Sequence, residues 1–248
     1  GAWQGKHGWE PTPERYVFNV MQWANEVGRI LVPGGALWIV IGDKVDAQGA
    51  VLIPSRVMLA LRDEGWIVFD NVWNKPNGFP AATNRCPKRI HEYGILAFKP
   101  GAPKRYYPDA YLEPLAASTL EELRHPYNGQ ATKDYAAGGA QDPSEAKRSA
   151  LRTINPAGRP QRSVWTIPTQ PSPTEHLAAF PEELPRRCIL TSTFPGETVL
   201  DCFAGTGRSG TVALALGRRF LGIELSQQYC DIARSALSSP FEVEAVPR

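Results

Sequence analysis

The sequence predicts an α/β fold, and three observations predict it. Apolar residues recur at helical spacing in several stretches, and short unbroken apolar runs lie between those stretches. Near the C-terminus a glycine-rich turn joins one such run to a helix. Alternation of this kind points to helices packed on a sheet.

Thr12-Pro13-Glu14 opens the first helix, with Thr12 as N-cap and Pro13 at the first helical position. Val17, Val20, Met21, Ala24, Val27, Ile30 and Leu31 follow at helical spacing, and Pro33-Gly34-Gly35 ends the element. Ala36–Ile41 is a continuous apolar run that reads as a buried parallel strand, closed by Gly42-Asp43. A helix over Ile53–Asp63 and strands over Trp66–Trp73 and Tyr93–Phe98 come next. From about Pro100 to Gln170 no periodicity is sustained, and a stretch of that length inside a compact domain is functional or disordered. Order resumes with a helix over Glu182–Ser192, a strand over Thr198–Asp201 and a helix over Ser209–Leu216. A strand over Phe220–Ile223 and a helix over Gln227–Leu237 complete the pattern.

Composition excludes several classes. Apolar content of 42% and charged content of 21% are ordinary for a soluble globular chain of 248 residues. No apolar run reaches the ~18–20 residues that span a bilayer, and no signal-peptide pattern opens the chain. Cys86, Cys188, Cys202 and Cys230 are widely spaced with no C-x-x-C pair, which speaks against zinc or a disulfide framework and for isolated thiols in a reducing cytosol. The net charge of +2 is small, but its distribution is uneven. Lys75, Arg85, Lys88, Arg89, Lys99, Lys104 and Arg105 face a single acid, Glu92, between Asn71 and Tyr107. Lys147, Arg148, Arg152, Arg159 and Arg162 form a second run with no acid after Glu145. Basic charge interleaved with aromatics suits a polyanion; a solvated basic surface is the plainer alternative.

The chemistry-bearing segment is Val199-Leu200-Asp201-Cys202-Phe203-Ala204-Gly205-Thr206-Gly207, running from strand into helix. Glycines there let backbone approach a ligand, and Glu224, at the tip of the next strand, can accept hydrogen bonds from both hydroxyls of a ribose. The pattern reads as a nucleoside site. Gly205-Thr206-Gly207-Arg208-Ser209-Gly210 matches G-x-G-x-x-G literally, which keeps a dinucleotide open. Asp201 would repel a pyrophosphate, however, and sits well beside the cationic aminoacyl end of S-adenosylmethionine. No Lys follows the last glycine, so the P-loop reading fails; a tight turn without a ligand is the remaining alternative.

These residues resemble motifs of the DNA methyltransferases that modify exocyclic amino groups, cytosine N4 or adenine N6. Asp201–Gly207 with Gly222-Ile223-Glu224-Leu225 resembles their cofactor motifs, and Thr174-Glu175-His176-Leu177-Ala178-Ala179-Phe180-Pro181 the segment lying against the cofactor from the opposite side. Asn71-Val72-Trp73-Asn74-Lys75-Pro76-Asn77, Arg85-Cys86-Pro87 and His91-Glu92-Tyr93 resemble the lining of the target-base pocket. Their order is that of the circularly permuted β group. The resemblance therefore implies a Rossmann-like, S-adenosylmethionine-dependent methyltransferase sheet, circularly permuted. It implies a catalytic and target-base half over 1–99, an irregular target-recognition insert over 100–170 and an S-adenosylmethionine-binding half over 171–248. Cofactor contacts fall to Asp201, Cys202, Phe203, Gly205, Gly207, Glu224, Leu225, His176, Leu177 and Ala178. Base and DNA contacts fall to Trp73, Lys75, Pro76, Asn77, Arg85, His91, Glu92, Tyr93, Lys147 and Arg148. Double-stranded DNA is the implied partner, a cognate restriction endonuclease acting on the same site a further one, and a prokaryotic or phage-infected cytoplasm the implied setting.

Methylation of an exocyclic amine requires a flipped base and stabilisation of charge growing on the nitrogen. In the family a (Asp/Asn/Ser)-Pro-Pro-(Tyr/Phe/Trp) motif does this, and no Pro-Pro dipeptide occurs here. The motif is expected upstream of Gly1, so the chain is expected to hold cofactor and base sites without methylating alone. A catalytically silent DNA-binding module, or an RNA or small-molecule methyltransferase on the same fold, are the competing expectations.

Overall fold

In the computed structural model, which describes residues 10–78, 87–124, 154–170 and 180–238, Thr12 is extended and its Oγ1 accepts from the Arg15 amide at 3.2 Å. The cap and the proline after it start α1 (Pro13–Ile30) where the sequence places it. Val20, Met21, Ala24 and Val27 line its buried face. They form a core cluster with Leu37, Ile39 and Ile41 of β1 (Ala36–Ile41), Val57 and Leu61 of α2 (Ile53–Asp63), and Trp66, Ile95 and Ala97. Trp38, on the alternate face of β1, packs instead on Trp73, Trp165, Ile167, Leu184 and Cys188. Leu184 and Cys188 belong to α4 (Glu183–Ser192), so helices cover both faces of the sheet.

That sheet has the order β1-β5-β4-β8, with β4 at Ile67–Asn74, β5 at His91–Phe98 and β8 at Val164–Thr166. Here an expectation is corrected. The run Ala36–Ile41 pairs antiparallel with β5, and β4 also pairs antiparallel with β5. β1 and β4 thus run parallel to one another with the reversed β5 between them. An unbroken apolar run reports cover on both faces, and carries no information about the direction of its neighbour. β8 pairs parallel with β4 over Val72–Asn74 and brings fully buried Trp165 into the second cluster. Three residues are too few to show alternation, and β8 lies in the stretch that shows no periodicity.

The described residues form two compact units, one within Gly1–Tyr107 and Arg162–Arg248, the other within Pro108–Gln161. The second contains a 3₁₀ turn at Pro108–Ala110, the antiparallel pair β6 (Leu112–Glu113) and β7 (Arg159–Pro160), and α3 (Ala117–Arg124). In the first, β9 (Thr198–Asp201), α5 (Arg208–Ala215) and β10 (Arg219–Gly222) form a parallel strand–helix–strand unit, followed by α6 (Gln227–Ser238). No described helix is long and apolar enough to cross a membrane. Cys188, Cys202 and Cys230 are free thiols, and among the described residues no cluster of metal-ligating side chains occurs.

A short hairpin, β2 (Val45–Asp46) and β3 (Gly49–Ala50), leads into α2, whose preceding residue Leu52 is left-handed at φ 61°. Backbone strain of that kind costs about 1–2 kcal/mol. The Asp43 carboxylate offsets it by accepting from Leu52 N at 3.2 Å, Ile53 N at 2.9 Å and Arg89 Nη1 at 2.5 Å. Burial pushes the Asp43 carboxyl up, but the Ile53 amide and the Arg89 guanidinium outweigh it and hold the carboxyl below its usual range. Stability from this group is therefore present above the unfolded carboxylate range and is lost as pH falls through the lowered folded value. Asp43→Asn is expected to cost about 1–3 kcal/mol at neutral pH. Urea titrations of the two proteins at pH 7 and at successively lower pH should show the gap narrowing in acid.

Candidate functional site

Asp201 is the last residue of β9, and the chain turns at once. Asp201 Oδ1 accepts from Phe203 N at 2.9 Å, while its other oxygen accepts from the Ser209 hydroxyl on α5. The carboxylate thus braces the turn from inside. Ala204 N donates to Ile223 O at 3.0 Å and Ile223 N to Asp201 O at 2.8 Å, which ties the turn to the end of β10. Glu224 closes it. One carboxylate oxygen accepts from Gly205 N at 2.9 Å and the other from Ser226 N at 2.8 Å. Each oxygen retains a second lone pair, so these bonds orient the group without exhausting it.

Gly205 (φ 53°) and Gly207 (φ 85°) are left-handed. At Gly207 a Cβ would also lie 3.0 Å from the Cβ of Ala233 on α6, so any other residue there would be both strained and crowded. Around this turn Phe203, Ile223 and Leu225 expose apolar surface, and the Phe203 ring meets Trp23 of α1 edge-on at 5.3 Å. The Cys202 thiol is pushed up, first by burial and then by the Asp201 charge. Cys188, buried in the second cluster, is pushed further up by burial. Iodoacetamide at pH 8 is expected to leave Cys188 unmodified until denaturant is added; mass spectrometry of the native and unfolded protein checks this.

The second group lies where β4 ends and β5 begins. Trp73 is buried and donates from its indole to Ile167 O at 2.8 Å. Lys75 places its ammonium 4.6 Å from the centroid of that ring and pairs with Glu92. The His91 and Tyr93 rings meet edge-on at 5.5 Å. Asn77, beyond Pro76, is clasped to Thr169: its Nδ2 donates to Thr169 O at 3.0 Å and its Oδ1 accepts from Thr169 N at 2.7 Å. Tyr93 from this group, and Leu200 and Cys202 from the glycine turn, pack on the same core cluster.

The structure thus gathers Asp201, Cys202, Phe203, Gly205, Gly207, Glu224 and Leu225 at one turn, and Trp73, Lys75, Pro76, Asn77, His91, Glu92 and Tyr93 at one strand end. His176, Leu177, Ala178, Arg85, Lys147 and Arg148 lie outside the described residues. Sequence reasoning missed Trp23, Thr169 and Arg208. A cation at the first position of a helix is disfavoured by the dipole, and that anomaly was the available signal for Arg208.

A parallel strand–helix–strand unit with a left-handed glycine turn and an acid on the adjacent strand tip defines a nucleoside-binding α/β protein. Comparison with known proteins narrows the class. Residues 4–235 match the N6/N4 DNA methylase family, and the chain belongs to that family. Type II methyltransferase M.SmaI of Serratia marcescens is 29% identical over 94% of this chain and 77% of its own length. The protein TTHA0409 of Thermus thermophilus, in complex with S-adenosyl-L-methionine, is 26% identical and covers 91% of this chain and 77% of its own, with a TM-score of 0.57. The PvuII cytosine-N4-specific DNA methyltransferase shares the fold, with a TM-score of 0.66 at 16% identity over 96% of this chain and 75% of its own. The protein is an S-adenosylmethionine-dependent DNA methyltransferase that acts on exocyclic amino groups, and its sheet is of the methyltransferase type.

Proposed function

We propose that the turn between β9 and α5 holds S-adenosylmethionine, with Glu224 taking the ribose hydroxyls, and that the end of β4 and start of β5 line a pocket for a flipped base of double-stranded DNA. The observation that carries this reading is the pair of bonds from Gly205 N and Ser226 N to Glu224, which present a carboxylate with lone pairs to spare beside a left-handed glycine turn. The turn fits the group: Phe203, Ile223 and Leu225 offer apolar surface, and the Asp201 carboxylate at its start supplies negative charge for a cationic aminoacyl tail. When bound, the cofactor supplies an electrophilic methyl on a sulfonium. The chain's own part is to fix that nucleoside, exclude water from it with apolar side chains, and orient the base edge.

The target-recognition role falls to residues 100–170 and the basic runs around them, His176, Leu177 and Ala178 contribute from the opposite side of the cofactor, and Arg85, Lys147 and Arg148 contact DNA. A Type II restriction system is the natural setting, with a cognate endonuclease cutting the same sequence in the cytoplasm. The relatives of this chain that bear Type II names support it. Lys75 lies over Trp73, which this reading places in the pocket. Lys75→Met is expected to weaken DNA binding about three- to tenfold at moderate salt and to lower the slope of log K against log salt by about 1. Fluorescence anisotropy with a labelled duplex at several salt concentrations tests it; an unchanged slope would remove Lys75 from the DNA face.

A further inference from the structure

The Phe203 ring stands on the glycine turn and is half exposed. Its main chain is fixed there, since Phe203 N donates to Asp201 Oδ1 at 2.9 Å and the next amide, Ala204 N, to Ile223 O at 3.0 Å. Those bonds leave the two side-chain torsions of Phe203 to be set by what the ring touches. It touches Trp23 of α1, whose ring plane is inclined at 78° with centroids 5.3 Å apart. Edge-to-face packing is favoured by the quadrupoles of two aromatic rings, so the contact prefers one orientation as well as filling space. Trp23 is itself rooted. It packs on the core cluster that contains Val20, Ala24 and Val27, and so do Leu200 and Cys202, the neighbours of Asp201 in the chain. The Phe203 ring thus has a partner anchored in the core and a remaining surface open to a ligand.

Resting on the reading of the turn as the S-adenosylmethionine site, we propose that Trp23 is a positioning residue of that site, acting through Phe203. It holds the Phe203 ring in the orientation in which the ring serves as an apolar wall for the bound cofactor. A wall ordered before the ligand arrives spares binding the entropy of ordering it. An aliphatic side chain at position 23 would fill space but has no quadrupole, and would leave the ring free to tilt. Because Trp23 lies on α1, outside the turn and the strands that carry it, the contact ties a further element to the cofactor site.

The test is a double-mutant cycle read by calorimetric titration with S-adenosylmethionine, for the unmodified chain, Trp23→Leu, Phe203→Leu and the two combined. Trp23→Leu is expected to weaken Kd about two- to tenfold, the size of an aromatic pair's preference. Trp23→Phe keeps an aromatic partner and should recover most of that loss. In the Phe203→Leu background Trp23→Leu should leave Kd unchanged, because the ring it positions is gone. A merely structural role for Trp23 in the core would weaken binding by the same factor in both backgrounds, and that result overturns the proposal. So does a Trp23→Leu chain that binds as tightly as the unmodified one. Carbon-13 labelling of the phenylalanine rings in the cofactor-free chain gives a second reading, which Trp23→Phe supplies even if Trp23→Leu does not fold. The Phe203 ring signals, identified by their loss in Phe203→Leu, should shift in Trp23→Phe; unmoved signals overturn the proposal. An unmodified chain that fails to bind the cofactor overturns the reading of the site instead, and the ring signals still decide whether Trp23 orders Phe203.

Discussion

Glu224→Ala is expected to weaken S-adenosylmethionine binding about 10- to 100-fold, the range set by removing a charged acceptor from hydrogen bonds at a partly buried site. Two losses combine. The ribose loses its acceptor, and Gly205 N and Ser226 N lose the oxygens that hold the turn in register. Glu224→Gln should rescue little, because an amide offers one acceptor oxygen, and its NH2 would face one of those two backbone donors. Asp201→Ala should weaken binding less, by about 1–2 kcal/mol, since Asp201 braces the turn through Phe203 N and the Ser209 hydroxyl. Calorimetry on the three variants gives the order. A Glu224→Ala protein that binds as tightly as the unmodified chain would place the ribose elsewhere.

Trp165→Ala is expected to cost about 3–5 kcal/mol of stability, the largest single effect in the chain. The side chain is fully buried and is the largest of those so enclosed. Its ring lies 5.5 Å from that of Trp38, and its indole donates to Arg162 O at 2.8 Å. Truncation leaves a cavity in the second cluster and an unpaired carbonyl where the chain returns to β8. Trp165→Phe fills most of the volume but cannot donate, and should cost about 1–3 kcal/mol. Thermal and urea unfolding measure both. Because β8 carries the chain on to Ile167 and Thr169, the alanine variant should also loosen the Asn77–Thr169 clasp, visible as faster exchange at Thr169. A cost below ~1 kcal/mol would mean that Trp165 is not enclosed as described.

Most helices and strands flanking the site are legible in the residues, and the reason is periodicity. α2 and β9 run over the residues predicted for them, Ile53–Asp63 and Thr198–Asp201. The glycine turn is legible too, since Gly205, Gly207 and Glu224 are local signals separated by one helix and one strand. What resists reading is long-range. Nothing in Ala36–Ile41 announces an antiparallel neighbour, because an apolar run reads the same whichever way its neighbour runs. Asp43 reads as the end of a strand, and only folding brings it to the amides of Leu52 and Ile53 and to Arg89. Arg208, Gln170 and Phe180 meet across 38 and 28 positions, and no motif pairs them.

The central claim is that S-adenosylmethionine binds at the glycine turn between β9 and α5. Amide chemical-shift mapping of the 248-residue chain, titrated with the cofactor, tests it most directly. Binding there predicts saturable shifts concentrated at Phe203, Gly205, Gly207, Ile223 and Ser226, lost together in Glu224→Ala. Saturable shifts that leave those amides unmoved and cluster elsewhere would contradict it.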